Sequence, residues 1–317
     1  MRLLVGDIGG TNARLALFEG PKLITQETRP SASASGLAQI IDRFIKRHGP
    51  VDACCAGVAG PVLGGKVRFT NLGWEESQAE LASIAGAPFR MINDFHAQAL
   101  AMPHLGASDY VALDQLPFDP QRNMAVLGAG TGLGEAILAR HENRWFAIAG
   151  EGSHARFAPQ NQEQIELLRS LMEQFPSHVS VERVVSGPGL VNIYQHLRGT
   201  EPQHPAMVNE DPAAVVVREA LAGTCEICVR AVEIFVDVLA DEAASLSLKC
   251  NAGTLFVSGG IPPRILPFIN TRFRPAFENK GRYRYMLEAI SVRVVTHPEP
   301  GLMGARIMAE SMAHGQS

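Results

Sequence analysis

Two periodicities alternate along the chain. Leu3 to Val5 form a short apolar run that breaks at "GDIGGTN", and "ARLALF" then alternates as a second strand does. The second half repeats the device in "NMAVLGAGTGLGEAILAR": an apolar strand, a glycine-rich turn with a threonine, and a strand-like run from Glu135 to Ala139. Two copies of one strand–turn–strand unit suggest an internal duplication. Between them, "LAQIIDRFIKRH" sets Leu37, Ile40, Ile41, Phe44 and Ile45 on one helical stripe, closed by Gly49-Pro50. "VDACCAGVAGPV" reads as a buried strand ending in a turn.

In the second half, "QEQIELLRSLM" predicts a helix with Ile165, Leu168 and Met172 on one face. "SGPGLVNIYQHL" predicts another, with Ser186 as N-cap and Pro188 in the first turn. A long helical stretch from Ala213 to Cys250, broken near Gly223, hands over to the strand "TLFVSGG", and "GLMGARIMAESMA" reads as a final amphipathic helix. Alternating strands and helices in both halves predict an α/β protein of two related domains flanking a deep cleft. The expected division is a small domain over 1–104, with the terminal helix 297–317 packing back on it, and a large domain over 105–296.

Composition narrows the function. The 317 residues are 46% hydrophobic and 19% charged, enough apolar material for a large core. A net charge of -4 without Lys/Arg clusters argues against a nucleic-acid partner. No uncharged run reaches membrane-spanning length and glycine and aspartate interrupt the N-terminal apolar residues, so a cytoplasmic protein with no membrane partner is expected. Five cysteines without export signals suggest reduced thiols; Cys225 and Cys228 form a Cys-x-x-Cys pair with no second pair at zinc-binding spacing.

Three nucleotide-binding devices compete for the glycines. A dinucleotide site needs G-x-G-x-x-G opening a helix, but the frames beginning at Gly128 and Gly130 end on Leu133 and Glu135, and a strand follows. A P-loop needs a lysine that is absent. The remaining device is a pair of strand–turn–strand loops, Gly9-Gly10-Thr11-Asn12 and Gly130-Thr131-Gly132, whose N–H groups and hydroxyls approach phosphate oxygens where a Cβ would obstruct them. A tight hairpin explains one such turn; two, each after an apolar strand, favour phosphate. Asp7 stands beside the first turn, where Mg²⁺ on a polyphosphate can be held through water.

Around residue 90 the chain reads "FRMINDFHAQALAM". Asp94 follows an apolar strand-like segment, and Asn93 offers both a donor and an acceptor to a sugar hydroxyl. Local sequence leaves two readings open: a general base facing the cleft, or an Asn-Asp cap on the helix that follows. "GEGSHARF" sets Glu151 and His154 three residues apart in a tight loop, where both can reach one ligand, although such a pair is more often structural; "TNLGWE" supplies Asn71 and Trp74, a lone Trp being more often a core residue.

The segments "GDIGGTNARLAL", "INDFHAQA", "GAGTGLGEA", "GEGSHARFAP", "VERVVSGPGLVN", "VSGGIPPR" and "GLMGA" occur in the order found in bacterial glucokinases, and the chain resembles that family of the actin/hexokinase-like ATPase superfamily over essentially its whole length. The resemblance implies ATP and Mg²⁺ as cofactors and D-glucose as substrate. It gives Asp94 as general base, Asn93, Glu151, His154, Glu182 and Asn71 as sugar contacts, Gly259 and Gly260 against the adenosine, and a homodimer. Ser153 stands where glycine is expected and Arg156 where some members carry an acid. The cysteine-rich zinc motif of the related repressor/open-reading-frame/kinase sugar kinases is missing. Competing expectations are a kinase of the same fold acting on another hexose or an amino sugar, and a non-catalytic sugar-binding regulator, which would need a DNA-binding segment ahead of the turn that begins at Gly6. An actin- or chaperone-like ATPase has no use for the Asn93, Glu151, His154 and Glu182 set.

Overall fold

The first apolar run becomes strand β1 (Arg2–Ile8) in the computed structural model, which describes residues 1–69, 72–142 and 144–315. It is followed by β2 (Asn12–Glu19), β3 (Lys22–Pro30), α1 (Leu37–His48), β4 (Ala53–Val58), β5 (Lys66–Phe69), β6 (Trp74–Ser77), α2 (Gln78–Ala85), β7 (Phe89–Asn93) and α3 (Asp94–Ala101). Then come β8 (Tyr110–Ala112), β9 (Asn123–Ala129), β10 (Leu133–His141), β11 (Arg144–Gly150), α4 (Gln162–Gln174), α5 (Gly187–Arg198), α6 (Pro212–Ala222) and α7 (Glu226–Cys250). The chain ends with β12 (Ala252–Ser258), α8 (Leu266–Phe277), α9 (Arg284–Glu288), β13 (Ser291–Val295) and α10 (Pro300–Ala313). Contacts gather these elements into two units, Met1–Leu105 with His297–Ser317, and Gly106–Thr296.

Both units use one sheet plan. The first is ordered β3-β2-β1-β4-β7 and the second β11-β10-β9-β12-β13-β8, so each is an antiparallel meander joined to parallel strands. β1 is apolar without alternation because both of its faces are covered. Leu4 and Ile8 pack with Leu37, Ile41 and Phe44 of α1, whereas Leu3 and Val5 pack with Leu302, Ala305 and Ala309 of α10. In the second unit β9 and β12 pack in one core with Val232, Phe235 and Leu239 of α7. α10 lies close enough to α3 that a Cβ on Gly304 would stand 1.7 Å from the Ala97 carbonyl oxygen, so only glycine fits there.

The α1 stripe is buried as the spacing predicts, with Ile45 half-buried at its margin. The break near Gly223 is also present: this residue ends α6 at φ 68°. The helix α4 is present, but the stripe of Ile165, Leu168 and Met172 is not its buried one, although Leu168 packs at the core margin. Ile165 and Met172 are exposed, and the buried stripe is Gln164, Leu167 and Leu171. The helix carries two apolar stripes, and Gln164 decides between them because its Oε1 is held by the Gln160 N–H at 2.8 Å. Trp74 packs edge-on to Phe69 at 5.6 Å in the core of the first unit. Cys225 begins α7 as its cap, its Sγ accepting from the Cys228 N–H at 3.3 Å, so the Cys-x-x-Cys spacing is that of a helix start.

No residue at the start of α1 caps it with a side chain; the cap comes from β6. Glu76, only 6% exposed, takes the Leu37 N–H at 2.5 Å, and a Cβ on Gly36 would meet the same carboxyl oxygen at 2.7 Å. Burial pushes the Glu76 carboxyl above the ordinary range, and bonds from the Leu37 and Ala38 N–H groups oppose that rise. Glu76→Ala should therefore lower the unfolding free energy measured in urea by about 1–3 kcal/mol, and Glu76→Gln, which keeps an acceptor, by less than half as much. Equal losses in the two variants would contradict a capping role.

Candidate active site

In the first unit the candidate residues gather at the carboxyl ends of parallel strands. Register aligns Asp7 of β1 with Gly57 of β4, and Gly57 with Ile92 of β7, so Ile8, Val58 and Asn93 end the three strands side by side. Ligands of open α/β sheets bind at such ends. The turn after β1 is closed by the Gly9 N–H on the Asn12 carbonyl at 2.9 Å. Ser31, fully buried, braces it from behind: its hydroxyl donates to the Gly9 carbonyl at 2.7 Å and its N–H to the Thr11 carbonyl at 2.9 Å. Gly10, Thr11 and Asn12 remain exposed.

Asp7 stands against α10, with its Cγ 3.3 Å from where a Gly301 Cβ would be, and Arg14 reaches its Oδ2 at 3.4 Å. Burial pushes its carboxyl up; Arg14 opposes that shift and Glu299 adds to it. Among the described residues no group of three or more His, Cys, Asp or Glu is placed to hold a metal ion. A lone carboxylate suits a cation whose other ligands are phosphate oxygens and water.

At the end of β7 both residues of the "IND" pair reach the start of the next helix. Asn93 is the cap of α3, its Oδ1 accepting from the Phe95 N–H at 2.8 Å and the His96 N–H at 3.2 Å, while its Nδ2 donates to the Gly60 carbonyl at 3.2 Å. Asp94 is the first helical residue, and its Oδ1 shares the Phe95 N–H at 3.0 Å. Gly57 lets this turn settle on β4, since even a Cβ there would be 3.2 Å from Ala97 Cβ and 3.6 Å from Asp94 Cα. With its acceptor committed to the helix, Asn93 has amide N–H capacity to offer a ligand and little accepting capacity.

In the second unit the second glycine turn follows β9. The Gly130 N–H bonds to the Gly132 carbonyl and the Gly187 N–H to the Gly130 carbonyl, both at 2.8 Å, so the start of α5 abuts the turn. Gly259, at φ 92°, lies where a Cβ would be 2.3 Å from the Ala129 carbonyl oxygen, and the Gly260 N would be 3.9 Å from a Cβ on Gly130. The turns after β9 and β12 are thus packed backbone to backbone. Thr131 is exposed.

Glu182 reaches the same turn. Its Oε2 takes the Leu133 N–H at 3.0 Å and would be 2.6 Å from a Cβ on Gly132. Its backbone carbonyl accepts from the hydroxyl of Ser186, the N-cap of α5, at 2.7 Å. The loop of Glu151 and His154 is tied alongside: the Val181 N–H bonds to the Ala155 carbonyl and the Phe157 N–H to the Val179 carbonyl, both at 3.0 Å. His154 Nε2 lies 3.7 Å from Glu151 Oε2, and both side chains are about half exposed, at 54% and 52%. Ser153 is buried, and Arg156 is exposed beside Ser180. Within this unit the structure brings together Gly130, Thr131, Gly132, Gly259, Gly260, Glu182, Glu151 and His154. Asn71 lies outside the described residues.

Comparison with known proteins supplies the family. A family model of glucokinases matches residues 4–312. The glucokinase of Yersinia pestis (strain Pestoides F) is 38% identical over 308 residues, covering 95% of this chain and 94% of that protein. The chain belongs to the glucokinase family. A crystal structure of a glucokinase from an Antarctic psychrotroph superposes with a TM-score of 0.83 at 33% identity, covering 98% of this chain and 99% of that one. That of Balamuthia mandrillaris glucokinase, in complex with glucose, superposes at 0.84 with 22% identity, covering 98% and 93%, which speaks to the fold alone. The fold is that of the actin/hexokinase-like ATPases.

Two neighbours of this glucokinase-family site escape a motif reading. Ser31 sits in a low-information "SASAS" segment with no signal of its own, and Gly187 reads only as helix start. The capping geometry yields a stability test. Asn93→Ala should cost about 1–2 kcal/mol in urea unfolding, and Asp94→Asn less than half of that. A larger loss for Asp94→Asn would return the capping role to Asp94.

Proposed function

We propose that the protein transfers the γ-phosphoryl group of ATP to the 6-hydroxyl of D-glucose. Family membership along nearly the whole chain carries the reading, and the bound glucose of the Balamuthia mandrillaris enzyme supports the sugar. The residue roles follow from the chemistry each position offers. Glu151, His154 and Glu182 accept from or donate to sugar hydroxyls, and Asn93 donates through its amide. Asp94 takes the hydroxyl proton as the sugar oxygen forms its bond to the γ-phosphorus and the bond from that phosphorus to the bridging oxygen breaks, with ADP as leaving group.

The turns Gly9–Asn12 and Gly130–Gly132 offer N–H groups and the Thr11 and Thr131 hydroxyls to phosphate oxygens. The start of α5 adds the positive end of a helix dipole beside Gly130. Gly259 and Gly260 lie along the adenosine. Asp7 would hold, through water, a Mg²⁺ carried by the nucleotide, which would supply charge neutralisation to the phosphates. The reading includes a cytoplasmic enzyme and, by family resemblance, a homodimer.

Asp94→Asn tests the base directly. The variant should bind glucose and MgATP in calorimetry nearly as the parent does, while kcat falls by about 10²-fold or more. A folded variant keeping more than about a tenth of parental kcat would overturn the assignment.

A further inference from the structure

The buried acid Glu135 has no part in the scheme above, yet it lies directly beneath the loop of Glu151 and His154. Its strand neighbours are Leu127 on β9 and Gly150 on β11, the residue preceding Glu151. The side chain is 3% exposed, and Oε1 is buried without a hydrogen-bond partner. Oε2 occupies the space beside Gly152 Cα so closely that a Cβ there would be 2.2 Å away, with the carboxyl carbon at 3.3 Å. Gly152 is therefore glycine because Glu135 fills the position its side chain would take. Burying a carboxyl oxygen without a hydrogen-bond partner costs stability, and this carboxyl is kept where it props the first residue after Glu151.

We propose that Glu135 is a positioning residue for sugar recognition, its carboxyl wedged under Gly152 so that Glu151 and His154 are held in the conformation that meets the hydroxyls. The inference rests on the sugar-binding reading of those two residues. The group acts as a neutral acid: burial first, then the nearby Glu242 on α7, push its carboxyl up to about 7, and Lys249 on α7 opposes them. Glu242, itself 9% exposed, keeps Lys249 at 3.7 Å. A proton on Glu135 thus supports the loop at neutral and mildly acid pH. As pH rises through about 7 the carboxyl ionises in an enclosed site beside a second acid, and the loop is displaced. Because the folded state holds this proton more tightly than the unfolded chain, the stability it confers is lost as pH rises toward and through that value.

Steady-state kinetics on purified Glu135→Val and Glu135→Gln test this. Glu135→Val should raise the KM for glucose about tenfold or more with kcat and the KM for MgATP within about twofold, and Glu135→Gln, a neutral isostere, should restore the parental KM at pH 6.5. Between pH 6.5 and 8.5 the parental KM for glucose should rise and that of Glu135→Gln should not. Glu151 and His154 on the loop and Glu242 and Lys249 on α7 are retained in both proteins, so the two differ only in the group at position 135. Unchanged glucose KM in both variants, or a parallel loss in kcat and both KM values, would overturn the inference. Should Glu135→Val fail to fold, the comparison of parent with Glu135→Gln decides: coincident pH profiles overturn the proposal and divergent ones sustain it. A parent that does not phosphorylate glucose defeats the functional reading instead, which the parental assay shows by itself.

Discussion

Close approach of backbone to backbone at the carboxyl ends of buried parallel strands is the constraint on which the rest depends. In the first unit Asp7, Gly57 and Ile92 are in register, so the glycine turn and the Asn93-Asp94 pair emerge next to each other. In the second, β9 and β12 end together and their turns touch through Ala129 and Gly259. A Cβ on Gly259 would stand 2.3 Å from the Ala129 carbonyl oxygen and force the turns apart, and one on Gly57 would crowd Ala97 at 3.2 Å, while the buried strands behind them have little freedom to compensate. Glycine here sets where the N–H groups of the turns lie.

The same constraint explains which parts of the molecule were legible in the sequence. Central strands such as β1 and β9 read clearly because burial on both faces demands an unbroken apolar run. The edge strands β3 and β11 did not, since half of their residues face solvent and "LITQET" resembles a loop as much as a strand. α1 has one apolar stripe and was read correctly. α4 has two, and the choice between them hangs on Gln164, a polar residue whose buried hydrogen bond no hydrophobicity pattern encodes. Glu76 as a cap for α1 is invisible for a similar reason, because its partner lies far off in the sequence.

Site residues show a parallel split. Spacing brought out Glu151 and His154 and the family resemblance brought out Glu182, and the structure adds that Glu182 is tied through its own carboxyl to the second glycine turn. Local sequence left Asp94 open as a general base or as part of an Asn-Asp cap. Geometry divides the labour, giving the two-bond cap to Asn93. Buried support, from Ser31 behind one turn and Glu135 beneath one loop, carries no sequence signature, since each acts through a neighbour's backbone.

If Glu151, His154, Glu182 and Asn93 bind the sugar as proposed, they select glucose among sugars. A polar site whose carboxylates and amides must each find a hydroxyl rejects a sugar that leaves one unpaired. The direct measurement is a coupled assay of the purified protein with MgATP across glucose, mannose, fructose and N-acetylmannosamine. The account predicts that kcat/KM for glucose exceeds those for fructose and N-acetylmannosamine by at least about tenfold. Turnover of glucose no better than that of either would contradict it.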